Sequence, residues 1–119
     1  MTNGQMGGLV GFSLMLAAGQ VLFKVAALAS RWPGGTGLRL PALLLEPSFW
    51  IALLLYGTAT LLWIYLLQSV PLSRAYPFAA LGFLFVPLMA MTIFGEKLSA
   101  AYGAGVTLIV AGILVTTFA

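Results

Sequence analysis

Between residues 49 and 68 the chain runs without one charged side chain, and so do 75–94 and 99–118. A fourth apolar stretch, 9–29, is interrupted by charge only at Lys24. A helix needs about 20 residues to cross a hydrocarbon layer about 30 Å thick, so each stretch is long enough to span a membrane. Four spans use roughly 80 residues of the 119, and the rest suffice for connections. Only 6% of residues are charged and 62% are hydrophobic, whereas a soluble domain carries roughly 25% charged residues. The sequence predicts an all-α integral membrane protein, a single four-helix domain over 1–119.

The breaks between spans carry the expected punctuation. Arg31, Trp32, Pro33, Gly34 and Gly35 stop the first span with charge, an interfacial aromatic ring and helix breakers. Residues 38–46 are too short to cross but apolar enough to lie at the interface, which predicts a short segment there. Gly95, Glu96 and Lys97 form a tight polar turn before the fourth span. Pro77 falls in the first turn of the expected third helix, where a missing N–H costs little, and Pro87 in its middle predicts a kink. The small residues Ala27, Ala29 and Ser30 would suit a signal-peptide cleavage site, but no Lys or Arg precedes 9 and Lys24 breaks the apolar run. Arg31, Arg39 and Lys97 fall on one side of the membrane and Arg74 on the other, so the positive-inside bias places both termini outside by a margin of two residues.

Composition also removes chemistries. With no Cys and no His, disulfides, thiolate chemistry, zinc fingers and histidine bases are excluded. The net charge of +3 comes from five scattered cations with no basic run, which argues against nucleic acid. No nucleophile–base pair, metal cluster or phosphate-cradling glycine loop is present, so neither an enzyme nor a cofactor is indicated. Glu46 and Glu96 fall at span ends, badly placed to carry protons across the midplane.

An ionisable group inside a span costs about 2.5 to 3.5 kcal/mol on insertion scales and marks a site by default. Lys24 is such a group, and Ser13, Ala17, Gln20 and Lys24 follow one helix face at i, i+4, i+7 and i+11. That polar or small stripe should point at neighbouring helices, with Lys24 at its mouth, although a lysine so near a span end can also snorkel to the head groups. On the second span Tyr56, Thr60 and Trp63 share a face, either lining a pathway or serving as interfacial belt and helix contact. Arg74 and Tyr76 open the third helix, where the cation either holds phosphate or anchors the helix end. Ala101, Gly105 and Gly112 make a smooth stripe on the fourth span for close packing, within the chain or with another subunit.

Taken in order, Ala18-Gly19-Gln20 with Lys24, Leu67-Gln68-Ser69-Val70-Pro71, Ala75-Tyr76-Pro77, Gly95-Glu96-Lys97-Leu98, and Gly105 through Ala111-Gly112 resemble the drug/metabolite transporter superfamily. The resemblance covers all four spans, in the four-helix form shared with small multidrug resistance transporters. It is closest to the small paired subunits of the undecaprenyl phosphate-aminoarabinose flippase. It implies a multi-pass subunit of the bacterial inner membrane that moves a polyprenyl phosphate-linked sugar between leaflets, as a homodimer or with a similar partner. Lys24 would then pair with phosphate, with Gln20 and Arg74 hydrogen-bonding around it and the polyprenyl tail left in lipid. The chain departs from the multidrug exporters in two places: Leu16 stands where they carry a membrane glutamate, and Ala79 where they place an aromatic residue of a cation cage. A cationic drug is expected to find neither counter-ion nor cage. Two other readings stay open, a small-solute exporter and a non-transporting membrane subunit that acts by packing on a partner.

Overall fold

The computed structural model describes residues 2–119. Helix α1 covers Asn3–Ala29, α2 Leu40–Leu44, α3 Pro47–Leu67, α4 Leu72–Ala79, α5 Gly82–Ile93 and α6 Ala100–Phe118. With α4 and α5 following one another in a single crossing, four helical stretches are long and apolar enough to span a membrane. The protein is therefore a multi-pass membrane protein of antiparallel helices.

Helix α1 starts at Asn3 rather than near residue 9 because its polar start is capped. The Thr2 hydroxyl accepts from the Gln5 N–H at 3.1 Å and the Gln5 side chain accepts from the Thr2 N–H at 2.9 Å, a capping box that satisfies two end donors. Gln5 also donates to Ser69 Oγ at 2.9 Å, tying the start of α1 to the connection after α3. At its other end α1 meets a short ordered loop. Arg39 N–H donates to Ser30 O at 2.7 Å and Trp32 N–H to Gly37 O at 3.3 Å, pairing Arg31 with Leu38 across an antiparallel bridge. Gly37 has φ 105° and a Cβ there would meet Trp32 Cδ1 at 3.1 Å, so both backbone and packing call for glycine. The Arg39 guanidinium lies 5.6 Å from the centre of the Trp32 ring. The expected interfacial segment is α2, whose last carbonyl, Leu44 O, accepts from Trp50 Nε1 at 2.7 Å.

The main packing contact is α1 against α3. In lipid the hydrophobic effect does not drive helices together, and close van der Waals approach by small residues does. Helix α3 supplies Ser48, Ala52 and Ala59, all buried along one face with Leu66, and α1 answers with Gly19 and Ala26. Phe12 stacks on Trp63 with ring centres 4.7 Å apart. A second cluster of Leu9, Leu66, Val70, Ala75 and Phe78 fixes α4 against α1 and α3 at the end of the bundle that holds the 68–71 turn.

The third crossing is broken at Ala80–Leu81, not at Pro87, which lies inside α5. Ala80 N–H bonds Pro77 O, Leu81 N–H bonds Phe78 O and Phe83 N–H bonds Ala80 O, all three-residue steps that tighten the ladder into a 3₁₀-like turn. Pro87 presses on the turn before it, and Gly82, a poor helix former, lets the distortion settle there. Pro77 sits in the second turn of α4, because the helix begins at Leu72 rather than at 75. Ser13 repairs the break: its hydroxyl lies 3.1 Å from Leu9 O and also hydrogen-bonds Phe78 O.

Helix α6 lies against α4 and α5 and is the least enclosed of the four spans. Ser99 caps its start, accepting from Tyr102 N–H at 3.1 Å. Arg74 supports its end, donating to Thr117 O at 3.2 Å, where the helix dipole favours a cation.

Candidate functional site

A cavity of about 380 Å³ opens between α1, α3, α5 and α6. Leu16, Ala17 and Gln20 line it from α1, Tyr56 from α3, Ala79 from α4, Gly82, Phe83, Val86 and Pro87 from α5, and Tyr102 from α6. Its volume is that of a small-ligand site, and its composition matches too: apolar walls with a few placed polar groups.

Tyr56 is placed by a missing side chain on the facing helix. A Cβ at Gly19 would stand 2.2 Å from Tyr56 Cε2 and 2.6 Å from Cδ2, so the ring fits only because residue 19 has none. Phe23 flanks the ring with centres 5.2 Å apart. The Tyr56 hydroxyl accepts from Gln20 Nε2 and lies 3.4 Å from Leu16 O. Gln20 and Tyr56 thus form one hydrogen-bonded wall, and the Gln20 carbonyl oxygen is an acceptor not used in that bond. The proline and glycine of α5 keep the opposite wall low and free of polar side chains, apart from backbone.

The polar stripe of α1 divides by role. Gln20 lines the cavity, and Ala17 does too. Ser13 is fully buried and its hydroxyl is taken up at Leu9 O and Phe78 O, so it holds the helix break. Lys24 is exposed and lies outside the lining, four residues beyond Gln20 and so about 6 Å along the helix on the same face. Thr60 donates to Tyr56 O at 2.8 Å, and Trp63 stacks on Phe12, so both are engaged away from the cavity. Tyr76 points outward at 67% exposure. Arg74 stands at the end of the bundle marked by Thr117 and the 68–71 turn, while Lys24 lies towards the other end, near the 30–39 loop. The structure therefore brings Gln20 and Tyr56 together, sets Lys24 one turn beyond them, and keeps Arg74 and Tyr76 apart from the cavity.

Leu16 and Ala79, the two positions that depart from the multidrug exporters, are both in the cavity wall. That wall holds no charged side chain, and Tyr56 and Tyr102 bring phenol rings to it from other helices. Tyr102 has no signature in the sequence, because a tyrosine in the first turn of a span reads equally as interfacial belt. The Gly-Glu-Lys turn at 95–97 is exposed, with Gly95 at φ 65° closing α5. On α6, Ala101, Gly105 and Gly112 face open space, and a Cβ at either glycine meets nothing within 4 Å. A packing role within the chain is thereby removed for the two glycines among the described residues.

No family model matches the chain, and no solved structure matches it. Among curated proteins, it is 41% identical to the probable 4-amino-4-deoxy-L-arabinose-phosphoundecaprenol flippase subunit ArnE of Sodalis glossinidius, over 86% of each chain. It is 40% identical to the protein of that name from Klebsiella pneumoniae over 90% of each. A 67-residue match to the Enterobacter protein is 46% identical and spans 63% of that relative. All three relatives are named for transport rather than catalysis. With near-complete, mutual coverage at about 40% identity, this chain belongs to the family of 4-amino-4-deoxy-L-arabinose-phosphoundecaprenol flippase subunits.

Proposed function

We propose that the protein is one subunit of a bacterial inner-membrane flippase that moves 4-amino-4-deoxy-L-arabinose-phosphoundecaprenol from the cytoplasmic to the outer leaflet. The observation that carries this reading is the uncharged, partly polar cavity of Gln20 and Tyr56 among four membrane-spanning helices, with Lys24 one turn away on the same face of α1. A sugar offers hydroxyls that Gln20 can bind, and its phosphate needs a cation that the cavity itself does not provide. Lys24 supplies that cation at the rim, exposed and one turn from Gln20, near enough to form a charge-assisted hydrogen bond. The undecaprenyl chain stays in lipid. Arg31, Arg39 and Lys97 then lie on the cytoplasmic side.

Four helices make a wall rather than an enclosed path, so the site is completed by a second small subunit of similar form. The unoccupied face of Ala101, Gly105 and Gly112 on α6 is the surface proposed for that contact. A proton-coupled small-solute exporter is less well supported, because no carboxylate lies in the cavity wall.

The test is reconstitution in liposomes with a short-chain polyprenyl phosphate-aminoarabinose, following how fast the head group becomes accessible on the opposite leaflet. The wild type should accelerate crossing, alone or with its partner subunit, and Lys24→Ala and Lys24→Met should slow it at least tenfold. Both variants running at the wild-type rate would remove phosphate binding from Lys24. Wild-type protein that moves no lipid-linked sugar in either setting would remove the flippase reading.

A further inference from the structure

Tyr102 has no part in the reading above, yet it is the residue through which α6 reaches the cavity. Its place is fixed by the helix start, where Ser99 Oγ accepts from its own N–H. The residue remains 45% exposed. Tyr56 is differently circumstanced: its ring is held between Gly19 and Phe23 and its hydroxyl is engaged by Gln20. Tyr102 and Phe83, the latter 57% exposed on α5, are therefore the aromatic faces still available to a ligand, and Tyr102 is the one in the first turn of its span, towards the side of the membrane where Lys24 lies.

The charges around the cavity set the orientation of whatever enters. None of the ten lining residues carries a formal charge at neutral pH, and both carboxylates of the chain, Glu46 and Glu96, lie in connections. A phosphate in the cavity would be desolvated with no cation to meet it, which is costly, so it stays at the rim with Lys24. A sugar amine, protonated near neutral pH, would also find no counter-ion. What it finds is an aromatic ring, whose negative face attracts a cation and does so more strongly where water is reduced.

Resting on the flippase reading, we propose that Tyr102 is a specificity-determining residue, recognising the protonated amine of the sugar through its ring face while the phosphate remains outside the cavity at Lys24. The fourth helix then has two functions on adjoining flanks, the small residues proposed for subunit pairing lying beside the ring that selects the head group.

The experiment titrates two soluble head groups, 4-amino-4-deoxy-L-arabinose 1-phosphate and L-arabinose 1-phosphate, against the full-length protein in lipid nanodiscs. Wild type, Tyr102→Phe and Tyr102→Leu are compared, with liposome transport of the lipid-linked forms run beside them. Wild type should prefer the amine about 2- to 30-fold, the range a cation on an aromatic ring gives. Tyr102→Phe, which keeps the ring and drops the hydroxyl, should retain that preference. Tyr102→Leu should abolish it, bringing the two affinities within about twofold of each other, with an unchanged circular dichroism spectrum and thermal midpoint showing that the variant is folded. A preference that survives in Tyr102→Leu, or is absent from wild type, overturns the proposal while transport by wild type leaves the flippase reading intact. Neither binding nor transport by wild type overturns both.

Discussion

Replacing Gly19 by alanine places a methyl group where the Tyr56 ring now lies. The added Cβ would sit 2.2 Å from Cε2 and 2.6 Å from Cδ2, against the roughly 3.5 to 4 Å at which carbon atoms pack. The ring must move by more than about 1 Å, and Phe23 on its flank limits where it can go. Crowding of this kind costs about 1 to 3 kcal/mol. Drawing the phenol away from Gln20 forfeits a hydrogen bond worth about 0.5 to 1.5 kcal/mol. Alanine returns about 1 kcal/mol of helix preference. The net expectation for Gly19→Ala is a loss of about 1 to 3 kcal/mol together with a collapsed cavity wall. In a Tyr56→Ala background there is no ring to displace, so the same change should be neutral or stabilise by up to about 1 kcal/mol. Equilibrium unfolding in mixed micelles, read by fluorescence of the three tryptophans, gives the four stabilities of the cycle. The expected coupling is about 2 kcal/mol. Equal costs in the two backgrounds, within about 0.5 kcal/mol, would refute the contact and with it the account of how Tyr56 is placed.

Ser13→Ala leaves Phe78 O at the α4–α5 break with the Leu81 N–H but without the hydroxyl, and stability should fall by about 0.5 to 1.5 kcal/mol in the same unfolding assay; an unchanged midpoint would deny Ser13 that role. Gly105→Leu and Gly112→Leu meet open space within the chain, so each should leave monomer stability within about 0.5 kcal/mol while weakening subunit association measured by cross-linking in membranes. Loss of monomer stability instead would mean that α6 packs within the chain by that face.

The sequence made the four crossings legible because lipid imposes a length and an absence of charge that no soluble context imitates. It also located one wall of the cavity. Gln20 was recoverable from the period of α1, and Leu16 and Ala79 from their places in the family pattern. Helical period fixes which residues share a face, but it does not say what that face meets. Ser13 and Lys24 share the stripe with Gln20, yet one is buried on a neighbouring carbonyl and the other is exposed. Trp63 and Thr60 follow Tyr56 by regular steps, but each is engaged away from the cavity. Tyr102 reaches the site because α6 packs against α5, a long-range placement with no local signal. Similarly, Pro87 announced a distortion, whereas its location depended on Gly82 and on the hydroxyl that Ser13 offers.

The capping box that extends α1 to Asn3 has a consequence for the surrounding bilayer. At 1.5 Å per residue the 27 residues of α1 measure roughly 40 Å, whereas the 19 residues of α6 measure roughly 28 Å. Against hydrocarbon about 30 Å thick, α1 must tilt steeply or carry its polar first turn into the head groups, while α6 fits only if it stands nearly upright or the lipid thins beside it. The thickness of the host bilayer therefore acts on the flank of α6, the shortest of the four spans, more than on the flank of α1.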